Sequence, residues 1–578
     1  MAILTSPGIN VSEFNLTTAV PGVSTSVGGF AGHFAWGPAG EITQITSEVD
    51  LVNRFGKPNV DNYEDFFTAA NFLAYGNNLS VVRGATGAKN ACAGASSALV
   101  QNSTAYYQGA SGANSLLNSG AWIAKYPGTM GNALSVYTLD SGNIGSATGP
   151  IAGATGVTIK SVFAGATGLA TSAFATTKGA TGAKDELHVL VVDGTGAISG
   201  TAGTVLEKYQ YLSKFSDATR DSGDTNYYVD VINQKSPYIW FNNVPGATGS
   251  GTVAWGTATS AFTNTATFKQ MAVNEGNDTL TGALDDYISP VVVEYGLFNT
   301  DTVNVDLLMA GNGGQTVVTS LVSLANSRKD CVVFFSPLKA NVVNNSGSET
   351  TALVTYMTTT VNPNSSYAFM DSGWKYQYDK YNNLFRWVPL NGDIAGLCAR
   401  TDQTNDPWYS PAGYNRGVIK NVIKLAWNPT QANRDSLYSV GINPVISQPG
   451  LGTVLFGDKT TLARPSAFDR INVRRLFITL EKSISAAAKF SLFELNNVST
   501  RAQFVNLVEP FLRTVQGRNG ITDFKVVCDT TNNTPQVIDA NQFVGDIYIK
   551  PARSINYIQL NFVAVATGVE FKTVVGQF

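Results

Sequence analysis

The amino-acid sequence predicts a multidomain fold that joins an α/β domain built on a parallel sheet, a C-terminal α+β domain and β-rich inserted domains. Three observations carry this. After residue 300, strand-like and helix-like segments alternate: Val303–Ala310, Gln315–Ser327, Cys331–Pro337, Glu349–Val361, Tyr367–Met370. That βαβαβ rhythm implies parallel strands with helices on the sheet faces. From Asp469 to Glu494 apolar residues recur with a helical period, and short strands follow later. Between Asn90 and Ala183 the only charged residues are Lys125, Asp140, Lys160 and Lys178, a composition shift that marks an insertion.

Taken in order, residues 1–23 carry Pro7, Gly8, Pro21 and Gly22 and no helix signal, so Ile9, Val11 and Phe14 fall on an extended arm. Val27–Phe34 is strand-like. Ser47 is placed to cap a short helix closed by Gly56, with Pro58 just beyond. A second helix is expected over Asn62–Tyr75, stopped by Gly76, and Leu79–Val82 returns as a strand. The tetrapeptide GATG starts at Gly84, Gly153, Gly165, Gly179 and Gly246, too irregular for a solenoid, and reads as tight turns between short strands. HVLVVD and YIWFN between 185 and 300 suggest a second inserted module. Tyr376–Val388 reads as a hairpin turning at Asn382-Asn383. A helix is expected over Ala502–Gln516, then strands at Phe524–Cys528, Asp546–Lys550 and Tyr557–Val565, and a last strand near Phe571, Val574 and Val575 forms a C-terminal arm.

Charged residues make up 14% of the 578 positions, against about 25% in an average soluble domain. The surface is therefore covered by Ser, Thr, Asn and Gly, which suits burial in an assembly. A net charge of −3 gives no global attraction to nucleic acid. No apolar run reaches the length of a membrane span, and Met1–Asn10 lacks the features of a secretory signal. The spacing of Cys92, Cys331, Cys398 and Cys528 fits neither a zinc site nor a compact disulfide framework, and predicts reduced thiols.

Catalytic chemistry has few carriers. With only His33 and His188, both in apolar strands, a nucleophile–base mechanism must use one of them, and no companion motif accompanies either. No metal or cofactor motif is present. Gly452–Thr460 (GTVLFGDKT) departs from a phosphate-binding loop because Asp458 separates Gly457 from Lys459. The expectation is no catalytic, cofactor-binding or metal-binding residue. Arg475, Lys482 and Lys489, each seven apart, form a basic stripe nearly opposite the apolar face. From Phe468 to Arg518 the local charge is +4 in a chain of −3, which suggests contact with an acidic surface.

Three stretches taken together resemble the tail sheath proteins of contractile, myovirus-type bacteriophages. They are SPGINVSE from Ser6 with VPGVSTSVGGFAGHFAWGPAGEITQITSEVDLVNRFGKP from Val20, RRLFITLEKSISAAAKFSLFELNN from Arg474, and CDTTNNTPQVIDANQFVGDIYIKPARSINYIQLNF from Cys528. The resemblance implies a structural, non-enzymatic subunit of the virion tail. Such subunits form stacked six-membered rings around a tail tube and contract to drive the tube through the host envelope, with baseplate and tail terminator proteins as further partners and assembly in the host cytoplasm. It also implies a subtilisin-like middle domain, a C-terminal-domain helix facing the tube, for which Arg475, Lys482 and Lys489 are the candidates, and terminal arms that join subunits. The expected organisation is an arm at 1–23, an α/β core from 24–88 plus 300–455, β insertions at 89–184 and 185–299, and a C-terminal α+β polymerisation domain at 456–578. No nucleic acid and no direct membrane insertion are expected. The alternatives are the sheath of a phage-tail-like injection device, a capsid or fibre protein, or a hydrolase using His33 or His188.

Overall fold

The structure, a computed structural model, describes residues 25–85, 88–92, 100–107, 121–140, 162–163, 169–179, 182–241, 303–556 and 559, and the backbone of 269–272. The arm candidates Ile9, Val11, Phe14, Phe571, Val574 and Val575 lie outside these residues, as do all but Gln559 of the strand expected at 557–565 and the GATG copies at Gly153, Gly165 and Gly246.

The chain divides into two compact units. The larger is built on a seven-stranded sheet ordered Ile442–Asn443, Ala368–Asp371, Val332–Phe335, Leu307–Met309, Gly28–Gly32, Leu79–Arg83 and Ile42–Ile45. Every neighbouring pair is parallel except the last, where Ile42–Ile45 runs antiparallel to Leu79–Arg83. The strand Gly28–Gly32 therefore sits beside a strand nearly three hundred residues later in the chain, and the α/β core is discontinuous. Buried parallel strands are apolar on both faces. Val333 and Phe335 pack on one side with the Gln315–Arg328 and Glu349–Thr355 helices, while Val332 and Phe334 pack on the other with the Glu48–Phe55, Tyr63–Leu73 and Asn391–Thr404 helices.

Local signals explain several boundaries. The Ser47 hydroxyl accepts from the Asp50 amide, capping the Glu48–Phe55 helix, and Gly56 ends it at φ 81°. The hairpin turn falls where expected, between Trp374–Asp379 and Leu384–Pro389, with Asn383 at φ 53°. The helix expected over Glu349–Val361 is α-helical only to Thr355. A π-helical turn over Tyr356–Val361 follows and ends at Asn362, φ 41°.

The two insertions expected at 89–184 and 185–299 share one sheet. Leu134–Asp140 lies between Glu186–Asp193 and Lys269–Ala272, with Thr204–Ser213 at the edge, and Trp122–Ala124 pairs with Ile239–Phe241. Trp122, Val136, Val189, Val191 and Phe241 fill one core. Residue 185 is thus no structural boundary, because antiparallel pairing across it buries apolar faces from both sides.

The smaller unit takes in Trp408–Ser410 and the described chain from Ala487. Its Val498–Gly517 helix is capped by Asn497, whose side chain accepts from the Thr500 amide. Phe504, Val508, Leu512 and Val515 are its buried apolar residues, and Ile521 is buried too. Ile521–Val527 and Asp546–Pro551 form a two-stranded antiparallel sheet.

The Asn391–Thr404 helix was not legible as a helix, since its sequence opens Asn-Gly-Asp and contains Gly396, all poor helix formers. Tertiary packing sets it. A Cβ at Gly392 would stand 2.3 Å from the Thr68 carbonyl oxygen of the neighbouring helix. Helix propensity alone makes Gly→Ala stabilising by about 1 kcal/mol. Here the close backbone approach reverses the sign, so Gly392→Ala is expected to destabilise the fold by about 1–3 kcal/mol in urea unfolding.

Candidate assembly site

The basic stripe lies on the Ile471–Ala488 helix. Residues 471–476 are all buried, so this helix begins inside the larger unit rather than on its surface. Its cations are met there by carboxylates from two other elements. Arg475 is 4% exposed, and its Nη2 donates to Asp402 Oδ1 at 2.6 Å and also to Oδ2. Asp402 stands in the last turn of the Asn391–Thr404 helix. Burial works against the Arg475 charge, but Asp402 more than offsets it and raises its pKa; burial pushes the Asp402 carboxyl up while Arg475 pulls against it.

One helical repeat on, the Lys482 ammonium donates to Asp306 Oδ1, to Asn304 Oδ1 at 3.0 Å and to the Val305 carbonyl at 3.3 Å. Asp306 immediately precedes the Leu307–Met309 strand, and Asp330, 3.8 Å from the same ammonium, is held in turn by Arg328 at 2.9 Å. The carboxylates also reach the start of the described chain. Thr25 Oγ1 donates to Asp402 Oδ2 at 2.8 Å, and the Val27 N–H donates to Asp306 Oδ2 at 3.0 Å. The Val27 carbonyl accepts from the amides of Asp306 at 2.9 Å and Leu307 at 3.1 Å.

This geometry corrects the tube-facing assignment for two of the three cations. Arg475 and Lys482 do lie opposite the apolar stripe, but that face is covered, so they form internal ion pairs. The signal that could have found this is in Val303–Ala310, where Asp306 stands between Val305 and Leu307 in a strand-like run and requires a partner if buried. Lys489 alone is exposed. It opens a short 3-10 turn after the helix, in the smaller unit. Beside it Phe490, Leu492, Phe493, Leu495 and Val498 are 79%, 64%, 104%, 77% and 73% exposed. The helical period of apolar residues from Asp469 to Glu494 includes Leu492 and predicts it on the apolar face; the helix stops at Ala488, and the chain beyond leaves the period.

Elsewhere the residues weighed for chemistry have structural partners. His188 lies in the inserted sheet, where its Nδ1 accepts from the Tyr211 amide and burial lowers its pKa to about 4. The His33 amide donates to buried Asp65 at 2.8 Å. In the Gly452–Thr460 stretch, Gly452–Leu455 is a strand, Asp458 pairs with Arg470 at 3.5 Å, and Lys459 donates to the Tyr438 carbonyl. All four cysteines are buried free thiols.

Removing one partner of a buried pair strands the other charge, at about 3–5 kcal/mol, whereas replacing both by apolar groups is often near neutral. Arg475→Leu should therefore lower unfolding stability by about that amount and Arg475→Leu/Asp402→Leu by much less, while Lys489→Leu should stay within about 0.5 kcal/mol in the same denaturant titration.

Comparison with known proteins agrees with a mixed α/β fold of the sheath type. Family models match in three blocks: the tail sheath protein Gp18 domain III N-terminal region over residues 25–83, the phage tail sheath protein central domain over 299–461, and the phage tail sheath C-terminal domain over 463–564. The tail sheath protein of Vibrio phage KVP40 is 35% identical across 99% of this chain and 100% of its own length. That of Enterobacteria phage T4 is 35% identical across 99% of each. The fold is similar to the sheath of an extracellular contractile injection system, PVC, in its contracted state, with a TM-score of 0.50 and 14% identity over 97% of this chain and 98% of that one. The chain belongs to the tail sheath proteins of contractile phages, the structural subunits of the tail sheath.

Proposed function

We propose that the protein polymerises as stacked six-membered rings around a tail tube, joined by its terminal arms, and that the rings contract as linked rigid bodies. The observation that carries this is the Ile521–Val527/Asp546–Pro551 sheet. The sheet packs against the Val498–Gly517 helix, and among the described residues neither strand has a second neighbour. Open strand edges recruit strands from other chains unless they are covered. Residues 1–23 and the segment around Phe571, Val574 and Val575 supply strand-prone sequence for that pairing. A heterologous contact of this kind, repeated along an axis, builds a helical assembly.

The larger unit, its parallel sheet related to a subtilisin-like fold, serves as a rigid body without catalytic work. The partners are further copies of this chain, the tube protein, and baseplate and tail terminator proteins, with assembly in the host cytoplasm and function in the virion tail. Of the tube-facing candidates, Lys489 keeps that role, because its ammonium and the apolar residues from Phe490 to Val498 are exposed together. An exposed apolar patch of this size marks a protein contact.

Deleting residues 1–23 should leave a folded, soluble subunit and abolish polymers in negative-stain images; striated cylinders from the truncated chain would contradict the arm reading. Lys489→Glu should reduce the fraction of tubes carrying extended sheath without changing subunit stability, measured by counting decorated tubes and by thermal unfolding.

A further inference from the structure

The ion pairs of the Ile471–Ala488 helix meet the start of the described chain at Thr25 and Val27. Resting on the arm reading, we propose that Arg475–Asp402 and Lys482–Asp306 anchor the root of the N-terminal arm and fix the direction in which it leaves the core.

Two features of the geometry point this way. Each carboxylate is divided between a cation of the Ile471–Ala488 helix and the chain just beyond the arm: Asp402 takes Arg475 and Thr25, and Asp306 takes Lys482 and Val27. Val27 is held from both sides, its N–H by the Asp306 carboxylate and its carbonyl by the Asp306 and Leu307 amides. The anchorage is also shielded. Thr25, Val27, Asp306 and Arg475 are each less than a tenth exposed, and Asp402 and Lys482 are partly buried, so water competes less for these bonds than at the surface.

The network gives the arm a fixed starting point. A segment ordered before binding loses less conformational freedom when it pairs, so anchoring favours assembly without adding any contact to the neighbour. It also routes tension. A pull on the arm would reach a central strand and a core helix through charge-assisted bonds rather than fraying an edge strand. Thr25 is a positioning residue in this scheme, acting through Asp402.

Thr25→Val removes the arm-side bond with little change of shape and leaves Asp402 paired to Arg475. Loss of this bond frees only a chain end, which costs the isolated subunit little. During assembly the loosened root must be ordered again. The critical concentration for polymerisation, read by sedimentation of the full-length chain, should rise about tenfold, the weight of one hydrogen bond to a charged group. The Tm of the soluble subunit should move by less than about 2 °C, and Thr25→Ser, which keeps the hydroxyl, should restore the wild-type value. Polymerisation of Thr25→Val at the wild-type concentration would overturn the anchor, and so would a large fall in Tm, which would make Thr25 a residue of general stability. The chain lacking residues 1–20 separates the two ideas. If it polymerises normally, the arm reading has failed; if it does not polymerise while Thr25→Val does, only the anchor has failed.

Discussion

A buried charge must find its opposite, and this requirement organises the larger unit. The Ile471–Ala488 helix enters the interior with cations seven residues apart, and burying them is tolerable only because Asp402 and Asp306 meet them. Those carboxylates come from elements far apart in sequence. One closes the Asn391–Thr404 helix, and the other precedes the Leu307–Met309 strand beside Gly28–Gly32. The ion pairs therefore fix how the helix, the sheet and the start of the described chain meet. Apolar packing would supply comparable burial with less directional control.

The remaining architecture suits a subunit that keeps its shape inside a polymer. The seven-stranded sheet is covered on both faces, and its helices pack at backbone contact, as the approach of Gly392 to Thr68 shows. A body packed in that way resists deformation. The inserted strands build a separate antiparallel sheet from segments on both sides of residue 185. The smaller unit, by contrast, offers among its described residues a two-stranded sheet and a run of exposed apolar side chains. Rigidity belongs to the first unit and unsatisfied surface to the second.

Much of this was readable before the structure. The alternation after residue 300 marked the parallel strands because completely buried strands are apolar throughout and leave a simple signature. Ser47, Gly56 and Asn383 marked boundaries through local chemistry that needs no tertiary context. What could not be read depended on distant partners. The Asn391–Thr404 helix has poor intrinsic propensity and exists through its packing on the Tyr63–Leu73 helix. The basic stripe had the right periodicity, yet periodicity says which residues share a face, not what covers it. Asp306 and Asp402 lie 176 and 73 residues from their partners, so only the fold could show that Arg475 and Lys482 face inward. Leu492 was misplaced because the helix ended one turn earlier than the apolar pattern suggested.

On the proposed reading the chain is completed by its neighbours, with each arm leaving an anchored root to finish another subunit's sheet. A side-chain-resolution reconstruction of the assembled polymer tests this most directly. The expected map shows Thr25 on Asp402 and Val27 on Asp306 in every subunit, with the chain before Thr25 running as a third strand beside the Ile521–Val527/Asp546–Pro551 sheet of another copy. A map in which residues 1–24 fold back onto their own chain, with that sheet still two-stranded, would contradict it.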